Sequence, residues 1–226
     1  MTYAIGFDVY GTLVDPLELN KHLRPLVGDQ ADKFAELWRE KQLEYAFRRG
    51  LMKQYADFGT CTKQALLFTQ QTLKTNLSAA DQQQLLDEYQ NLRAFADVAP
   101  GLAALKEQGH ALVAFSNGIA AKVRALLEKS GVAQHLDDVL SVDELKTFKP
   151  DPAVYDYLAR RVARPKNETW LVSSNPWDVI GAKSAGLKAA WIKRKPDKIF
   201  DPWGIDPDVT VSNLEKLAEQ LAQFTN

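Results

Sequence analysis

The 226-residue chain has a single cysteine, Cys61. No internal disulfide can form, and nothing in the cysteine usage points to an oxidising compartment. Histidine is almost as scarce. His22, His110 and His135 lie far apart in the sequence, and with one cysteine beside them a soft-metal site is not expected. Charge of one sign is not in excess: 28 Lys and Arg face 29 Asp and Glu, for a net charge of −1. That excludes the basic footprint of a nucleic-acid binder and any attraction to anionic membranes. No apolar run approaches the roughly 20 residues of a membrane span. The opening, Met-Thr-Tyr-Ala-Ile, has neither the basic region nor the apolar stretch of a signal peptide. A cytoplasmic protein is therefore the expectation. Several catalytic signatures are missing too: there is no Gly-x-Ser-x-Gly elbow, no Walker loop and no Gly-x-Gly-x-x-Gly. No repeat of fixed period and no low-complexity segment occurs.

What remains is an ordinary globular composition, 46% hydrophobic and 25% charged. The length suits one large domain, or a core domain with an insertion. The first informative stretch runs from Tyr3 to Leu13. Ala4 to Phe7 reads as a buried strand that stops at Asp8, and Gly11 allows a tight turn just after. Open α/β sheets bind ligands at the carboxyl ends of their strands. Asp8 is thus a candidate nucleophile or metal-binding carboxylate; the alternative is a turn or capping aspartate.

From Leu17 to about Ala96 no strand pattern appears. Phe34, Leu37, Trp38, Lys41 and Tyr45 follow helical spacing. Cys61 to Leu73 reads as a second helix. Ser78-Ala-Ala-Asp81 resembles a capping box opening a third. The spacing therefore predicts a core of residues 1–15 and 97–226, interrupted by a helical block over 16–96. The α/β rhythm resumes near Pro100. Ala111–Phe115, Val139–Val142, Trp170–Val172, Ala189–Ile192 and Val209–Val211 read as strands alternating with helices. This predicts an α/β fold: a Rossmann-like core with a mostly parallel sheet, covered on both faces, and an inserted helical cap.

Three of these strands end in polar clusters: Asp8, Ser116-Asn117, and Ser173-Ser174-Asn175, with Asp178 one turn further on. Parallel strands put all three clusters on one sheet edge. Any one Ser-Asn pair is ordinary turn chemistry; three in phase point to a site. The chemistry they suit is covalent catalysis by a carboxylate. Ser, Asn and helix-start N–H groups would bind an anion, and Lys149 would keep Asp8 ionised. The plain alternative for Lys149 is a solvated lysine in a Pro-rich loop.

These motifs resemble the haloacid dehalogenase superfamily in order and spacing. They are Asp8-Val9-Tyr10-Gly11-Thr12, Ser116-Asn117, Lys149-Pro150 and Ser173-Ser-Asn-Pro-Trp-Asp178. Most of that superfamily transfers phosphate with magnesium and carries a second acid two positions after the nucleophile. Here that position is Tyr10, and Ser174-Asn175 stand where another acid is expected. A hard cation prefers several carboxylate oxygens, so no metal or other cofactor is expected. The pattern resembles the L-2-haloacid dehalogenase branch in particular. The inserted block agrees: Trp38-Arg39-Glu40-Lys-Gln-Leu43-Glu-Tyr45 resembles its halide-binding segment, and Phe58 its aromatic pocket residue.

The resemblance implies that Asp8 displaces halide from a 2-haloacid with inversion, and that water then hydrolyses the aspartyl ester. It implies Arg39 and Asn117 for the halide, and Ser116 with N–H groups near Tyr10 and Gly11 for the substrate carboxylate. Tyr10, Leu43, Phe58 and Trp177 would wall the reacting carbon. Lys149, Asp178, Ser173 and Asn175 would place the hydrolytic water, while Thr12 and Tyr155 orient Asp8 and Lys149. Glu40 departs from the expected amide and would repel an anion. A homodimer acting on a small 2-haloacid is the implied assembly. Two alternatives stay open: a magnesium-dependent phosphatase of the same fold, and a non-catalytic binding domain.

Overall fold

The computed structural model describes residues 2–224. In chain order, strand β1 is Ala4–Phe7, and four helices follow: α1 Asn20–Val27, α2 Ala31–Met52, α3 Phe58–Leu73 and α4 Ala79–Glu88. Then come α5 Val98–Glu107, β2 Ala111–Ser116, α6 Ala120–Lys129, β3 Asp138–Ser141, α7 Pro152–Arg161 and β4 Thr169–Ser173. The chain closes with α8 Pro176–Ser184, β5 Lys188–Ile192, β6 Val209–Val211 and α9 Leu214–Phe224. The six strands form one parallel sheet in the order β3-β2-β1-β4-β5-β6.

That order has a consequence for the site. The chain winds outward from β1 through β2 to β3, then crosses back to β4 on the other side of β1. The connections after β1 and after β4 therefore part at the carboxyl edge, which is where such sheets leave a crevice. Register sharpens the placement. Phe7 pairs with Ala114 and with Val172, so Asp8, Ser116 and Ser173 all fall within two residues of one level.

Alternation along the strands fills both faces. Ile5, Phe7, Leu112, Ala114, Trp170 and Val172 belong to one buried cluster; Val113, Phe115 and Leu171 belong to another, with Tyr155, Leu158 and Val179. Gly6 is bare because Leu158 takes the space: a Cβ there would lie 2.7 Å from its side chain.

Local signals account for most element ends. Ser78 and Asp81 form the reciprocal capping box, with Ser78 N donating to Asp81 Oδ2 at 2.8 Å and Asp81 N to Ser78 Oγ at 3.1 Å. Asp151 caps α7 ahead of Pro152, and Asn213 Oδ1 accepts from Lys216 N at the start of α9. The phase of α2 differs from the expected one. Its buried stripe is Phe34, Ala35, Trp38, Gln42 and Ala46. Lys41 and Tyr45 are only half-buried and pack against Phe68 at its flank. The partner helix α3 decides which side of α2 is inside, and intrinsic spacing does not carry that information. Among the described residues no helix is long and apolar enough to cross a membrane.

One packing contact gives a stability test. Gly101 in α5 lies against α9, where a Cβ would sit 2.5 Å from Leu214 Cβ and 2.7 Å from the Leu214 carbonyl carbon. Helix propensity alone would favour alanine by about 1 kcal/mol. Overpacking against backbone costs about 3 kcal/mol, so the clash wins. Gly101→Ala is expected to lower Tm by about 4–8 °C without changing the activity of the folded molecules. Thermal melts beside turnover measurements check it, and an unchanged or raised Tm would contradict the contact.

Candidate active site

Asp8 stands one residue beyond β1 and is still pinned to the sheet, its N–H donating to the Val172 carbonyl at 2.9 Å. The chain then folds back at once. Gly11, at φ +89°, makes the turn, and Leu13 and Val14 both donate to the Val9 carbonyl. The Gly11 N–H is itself committed to the Val14 carbonyl at 2.8 Å. Of the N–H groups near Tyr10 and Gly11, that of Gly11 thus serves the turn.

The turn returns Thr12 beneath the carboxylate. Asp8 is 7% exposed. Its Oδ2 accepts from Thr12 Oγ1 at 2.9 Å and from Asn175 Nδ2 at 2.8 Å, while Oδ1 accepts from Lys149 Nζ at 3.2 Å. One oxygen is thus held by two donors and the other by one.

Lys149 is fully buried and spans two acids. Its Nζ lies 2.9 Å from Asp178 Oδ2 as well as 3.2 Å from Asp8 Oδ1, over the ring of Phe115 at 4.5 Å. Its backbone N–H donates to Asn117 Oδ1 at 3.0 Å. Asn117 therefore anchors the lysine through its amide oxygen and keeps its NH2 as a donor. Burial works against the ammonium, but Asp178 and Asp8 together outweigh it and hold its pKa above the ordinary lysine value. Burial pushes Asp178 up; Lys149 opposes the rise and Asp8 adds to it. Both directions hold together because one cation serves two carboxylates, and Asp178 is the one without solvent.

The Tyr155 hydroxyl donates to Asp178 Oδ1 at 2.8 Å, and so reaches Lys149 through the acid that the lysine binds. Asp178 comes from the first turn of α8, which Pro176 opens.

The loop after β4 is tied to the turn after β1. Ser174 N donates to Thr12 Oγ1 at 2.8 Å, and Ser174 Oγ donates to the Gly11 carbonyl at 2.6 Å. The Ser174 carbonyl accepts from Trp191 Nε1 and Lys198 Nζ. Ser173 Oγ accepts from Asn175 N at 3.1 Å, setting the angle from which Asn175 reaches Asp8. At the neighbouring strand end Ser116 Oγ accepts from Gly118 N at 3.1 Å, which leaves its own proton free of that bond.

The helical block supplies one cation. Arg39 in α2 donates through Nη1 to Gln42 Oε1 at 2.7 Å and through Nη2 to the Tyr10 carbonyl at 3.4 Å. It spans from α2 to the turn carrying Asp8, a different arrangement from the solvated pairing with Glu36 that helical spacing offers. Glu40 is exposed on the same 540 Å³ cleft as Arg39. The Tyr10 ring is buried, 6.1 Å from Phe58 and 5.5 Å from Tyr89 between centroids, and its hydroxyl is driven well above the ordinary range, by burial first. Tyr10, Phe58 and Gly118 line a second cleft of 350 Å³. Leu43 is half-buried one turn beyond Arg39. Trp177 stands edge-on to Phe47 beside a 600 Å³ apolar cleft that Lys149 also lines.

One participant has no assigned role in the sequence pattern: Gln42, though a polar residue at four-residue spacing with Phe34, Trp38 and Ala46 is a visible irregularity. Ser174, a member of the polar cluster after β4 that stands where an acid is expected, latches the two loops together. Among the described residues no group of three or more His, Cys, Asp or Glu is placed to hold a metal ion.

Comparison with known proteins identifies the family. The model of the haloacid dehalogenase-like hydrolases matches residues 3–186. Haloacetate dehalogenase H-2 of Moraxella sp. (strain B) is 35% identical over 219 residues, which are 97% of this chain and 97% of that protein. The (S)-2-haloacid dehalogenase of Pseudomonas sp. (strain YL) is 34% identical over 216 residues, 96% of this chain and 93% of that one. The structure of L-2-haloacid dehalogenase from Xanthobacter autotrophicus with chloropropionic acid covalently bound superposes with a TM-score of 0.91 at 28% identity. It covers 98% of this chain and 99% of that one. With a buried carboxylate at the sheet switch point, and relatives matching along nearly its whole length, this chain belongs to the haloacid dehalogenase-like hydrolases.

Proposed function

We propose that this protein hydrolyses L-2-haloacids to D-2-hydroxy acids and halide through an ester on Asp8. The observation that carries the reading is the unequal bonding of that carboxylate. Thr12 and Asn175 saturate Oδ2, while Oδ1 meets only Lys149. Oδ1 keeps a lone pair for attack, and its orientation is fixed from the other oxygen.

In the first step Oδ1 bonds to C2 from behind, the C2–halogen bond breaks, and its electron pair leaves with the halide. Halide is a weak base and needs no acid, but a positioned cation stabilises the departing charge. Arg39 serves there, with the Asn117 NH2 beside it. Ser116 takes the substrate carboxylate. Tyr10 and Phe58 exclude water, and Leu43 and Trp177 extend that wall. In the second step water attacks the ester carbonyl, the carbon of Asp8, and gives a proton to Asp178. The acyl carbon–oxygen bond then breaks while the C2–oxygen bond survives, the departing 2-oxygen takes the proton back from Asp178, and the Asp8 carboxyl loses its proton to solvent, which regenerates both carboxylates and releases the inverted alcohol. Lys149 holds both acids and the water's approach; Tyr155 and Ser173 keep Asp178 and Asn175 in place. We further propose residues 16–96 as a cap over the core, a cytoplasmic location, and a homodimer, for which sedimentation is the test.

Halide release from L- and D-2-chloropropionate, with excess EDTA and again with magnesium, tests the reading. Release from the L form alone, indifferent to EDTA, is expected. Phosphate ester hydrolysis appearing only with magnesium would replace the reading by that of a phosphatase.

A pH profile follows from the two shifted groups. Asp178 must be ionised to accept a proton, and its pKa is raised. Activity should therefore climb at a pH above the ordinary carboxylate value of about 4. Lys149 must stay charged, and its raised pKa keeps it so beyond the ordinary lysine value of about 10.4. The stability linkage has the same sign for both groups, because each binds its proton more tightly in the folded state. The raised Asp178 pKa binds protons in the folded state, so its contribution weakens as pH rises from about 4 through the folded pKa. The Lys149 contribution is full below about 10.4 and is lost only above that. An acid limb that Asp178→Asn leaves in place would contradict the assignment.

A further inference from the structure

We infer that Gln42 is a positioning residue that holds Arg39 as the halide-receiving cation, and that it must be an amide rather than an acid. The inference rests on the proposed role of Arg39. Gln42 is 0% exposed, so every polar atom it carries needs a partner. Both have one: Oε1 accepts from Arg39 Nη1 at 2.7 Å and from the Tyr89 hydroxyl at 3.1 Å, and Nε2 donates to Thr62 Oγ1 at 2.6 Å. Arginine can only donate, which fixes the oxygen towards it. The chain continues inward, since Thr62 Oγ1 donates to the Phe58 carbonyl at 2.8 Å and Trp38 Nε1 donates to the Thr62 carbonyl at 2.9 Å. Gln42 therefore ties the guanidinium to the packed seam of α2 and α3, and to the backbone of the aromatic Phe58.

The need for such a tie is physical. Arg39 is half-exposed on a cleft, and a long side chain there is otherwise free to leave the site. A cation helps halide departure only if it is in position before charge develops. A glutamate at position 42 could still accept from Arg39. It would also cancel the charge the halide is meant to meet, and it would lose the donor to Thr62. A carbonyl oxygen holds the guanidinium without neutralising it. Glu40, two residues earlier, is a carboxylate that stands exposed instead.

The experiment compares Gln42→Leu, Gln42→Glu and Arg39→Met with the parent protein. It measures inhibition by added chloride and bromide, kcat for L-2-chloro- and L-2-bromopropionate, and Tm. Chloride is the poorer leaving group and depends more on the cation. Both Gln42 variants are expected to lower kcat on the chloro substrate by about 10–100-fold, as a displaced charge-assisted contact does. The bromo substrate should suffer less, and inhibition by both halides should weaken, in the same sense as for Arg39→Met. Should Gln42→Leu not fold, the near-isosteric Gln42→Glu decides. Thr62→Val, which releases Gln42 Nε2 and the Phe58 carbonyl but leaves the bond of Gln42 Oε1 to Arg39 in place, should shift the same ratios by a smaller factor. If Arg39→Met shifts the chloride-to-bromide ratio while folded Gln42 variants keep parental ratios and inhibition, Gln42 is structural and the inference is overturned. If Arg39→Met itself leaves halide inhibition and leaving-group ratio untouched, the role of Arg39 fails, and this inference with it.

Discussion

Asp8→Asn is expected to lose halide release by on the order of 10⁴-fold or more, the scale seen when a covalent nucleophile is removed, while the protein stays folded. The two effects separate for a structural reason. The amide oxygen can still accept from Thr12 and Asn175 in place of Oδ2. Lys149 then faces Asp178 alone, a neutral pair in place of a triad with excess negative charge. Burial therefore becomes less costly, and Tm should hold or rise. What is lost is the anionic oxygen that attacks C2. Mass spectrometry should accompany the assay, because deamidation of the new asparagine would restore aspartate. A stable variant that keeps more than about 1% of parental turnover, with no deamidation, is incompatible with nucleophilic catalysis by this residue.

Lys149→Met is expected to damage both stability and activity. Lys149 is 1% exposed, and among the described residues its ammonium is the only cation bonded to either acid. Its removal leaves Asp8 and Asp178 facing each other uncompensated, which costs about 3–5 kcal/mol for a broken buried pair. For a chain of this size that is a Tm loss of about 6–20 °C. The loss should be greater at pH 8 than at pH 5, since protonating one carboxylate relieves the repulsion. Adding Asp178→Asn should recover much of the stability and none of the activity, because neutralisation mends folding while the hydrolytic base is gone. A single variant with parental Tm at both pH values would show that the triad is not under electrostatic load.

Much of this was legible in the sequence. The short apolar runs ending in polar residues announced parallel strands, and the in-phase endings at Asp8, Ser116 and Ser173 announced a shared edge. The sheet register brings those endings to one level. Thr12, Asn175 and Lys149 reach Asp8 directly, because each follows a strand or turn whose geometry is local. Contacts made across elements were harder to read. The bond of Tyr155 to Asp178 depends on how closely α7 and α8 approach, and Gly181 lets them: a Cβ there would lie 2.5 Å from the Tyr155 hydroxyl. The commitment of the Gly11 N–H depends on the return of the chain at Val14. Gln42 lies on a stripe whose phase is chosen by α3. In each case tertiary packing selects among partners that the sequence pattern leaves equivalent.

The most direct test is a single turnover in H₂¹⁸O with protein in excess over L-2-chloropropionate. Attack by Asp8 predicts a first 2-hydroxy acid whose new hydroxyl carries ¹⁶O from the aspartate. The peptide containing Asp8 should gain the ¹⁸O. Label in the product hydroxyl, with Asp8 unlabelled, would mean that water displaces the halide itself and that no ester forms.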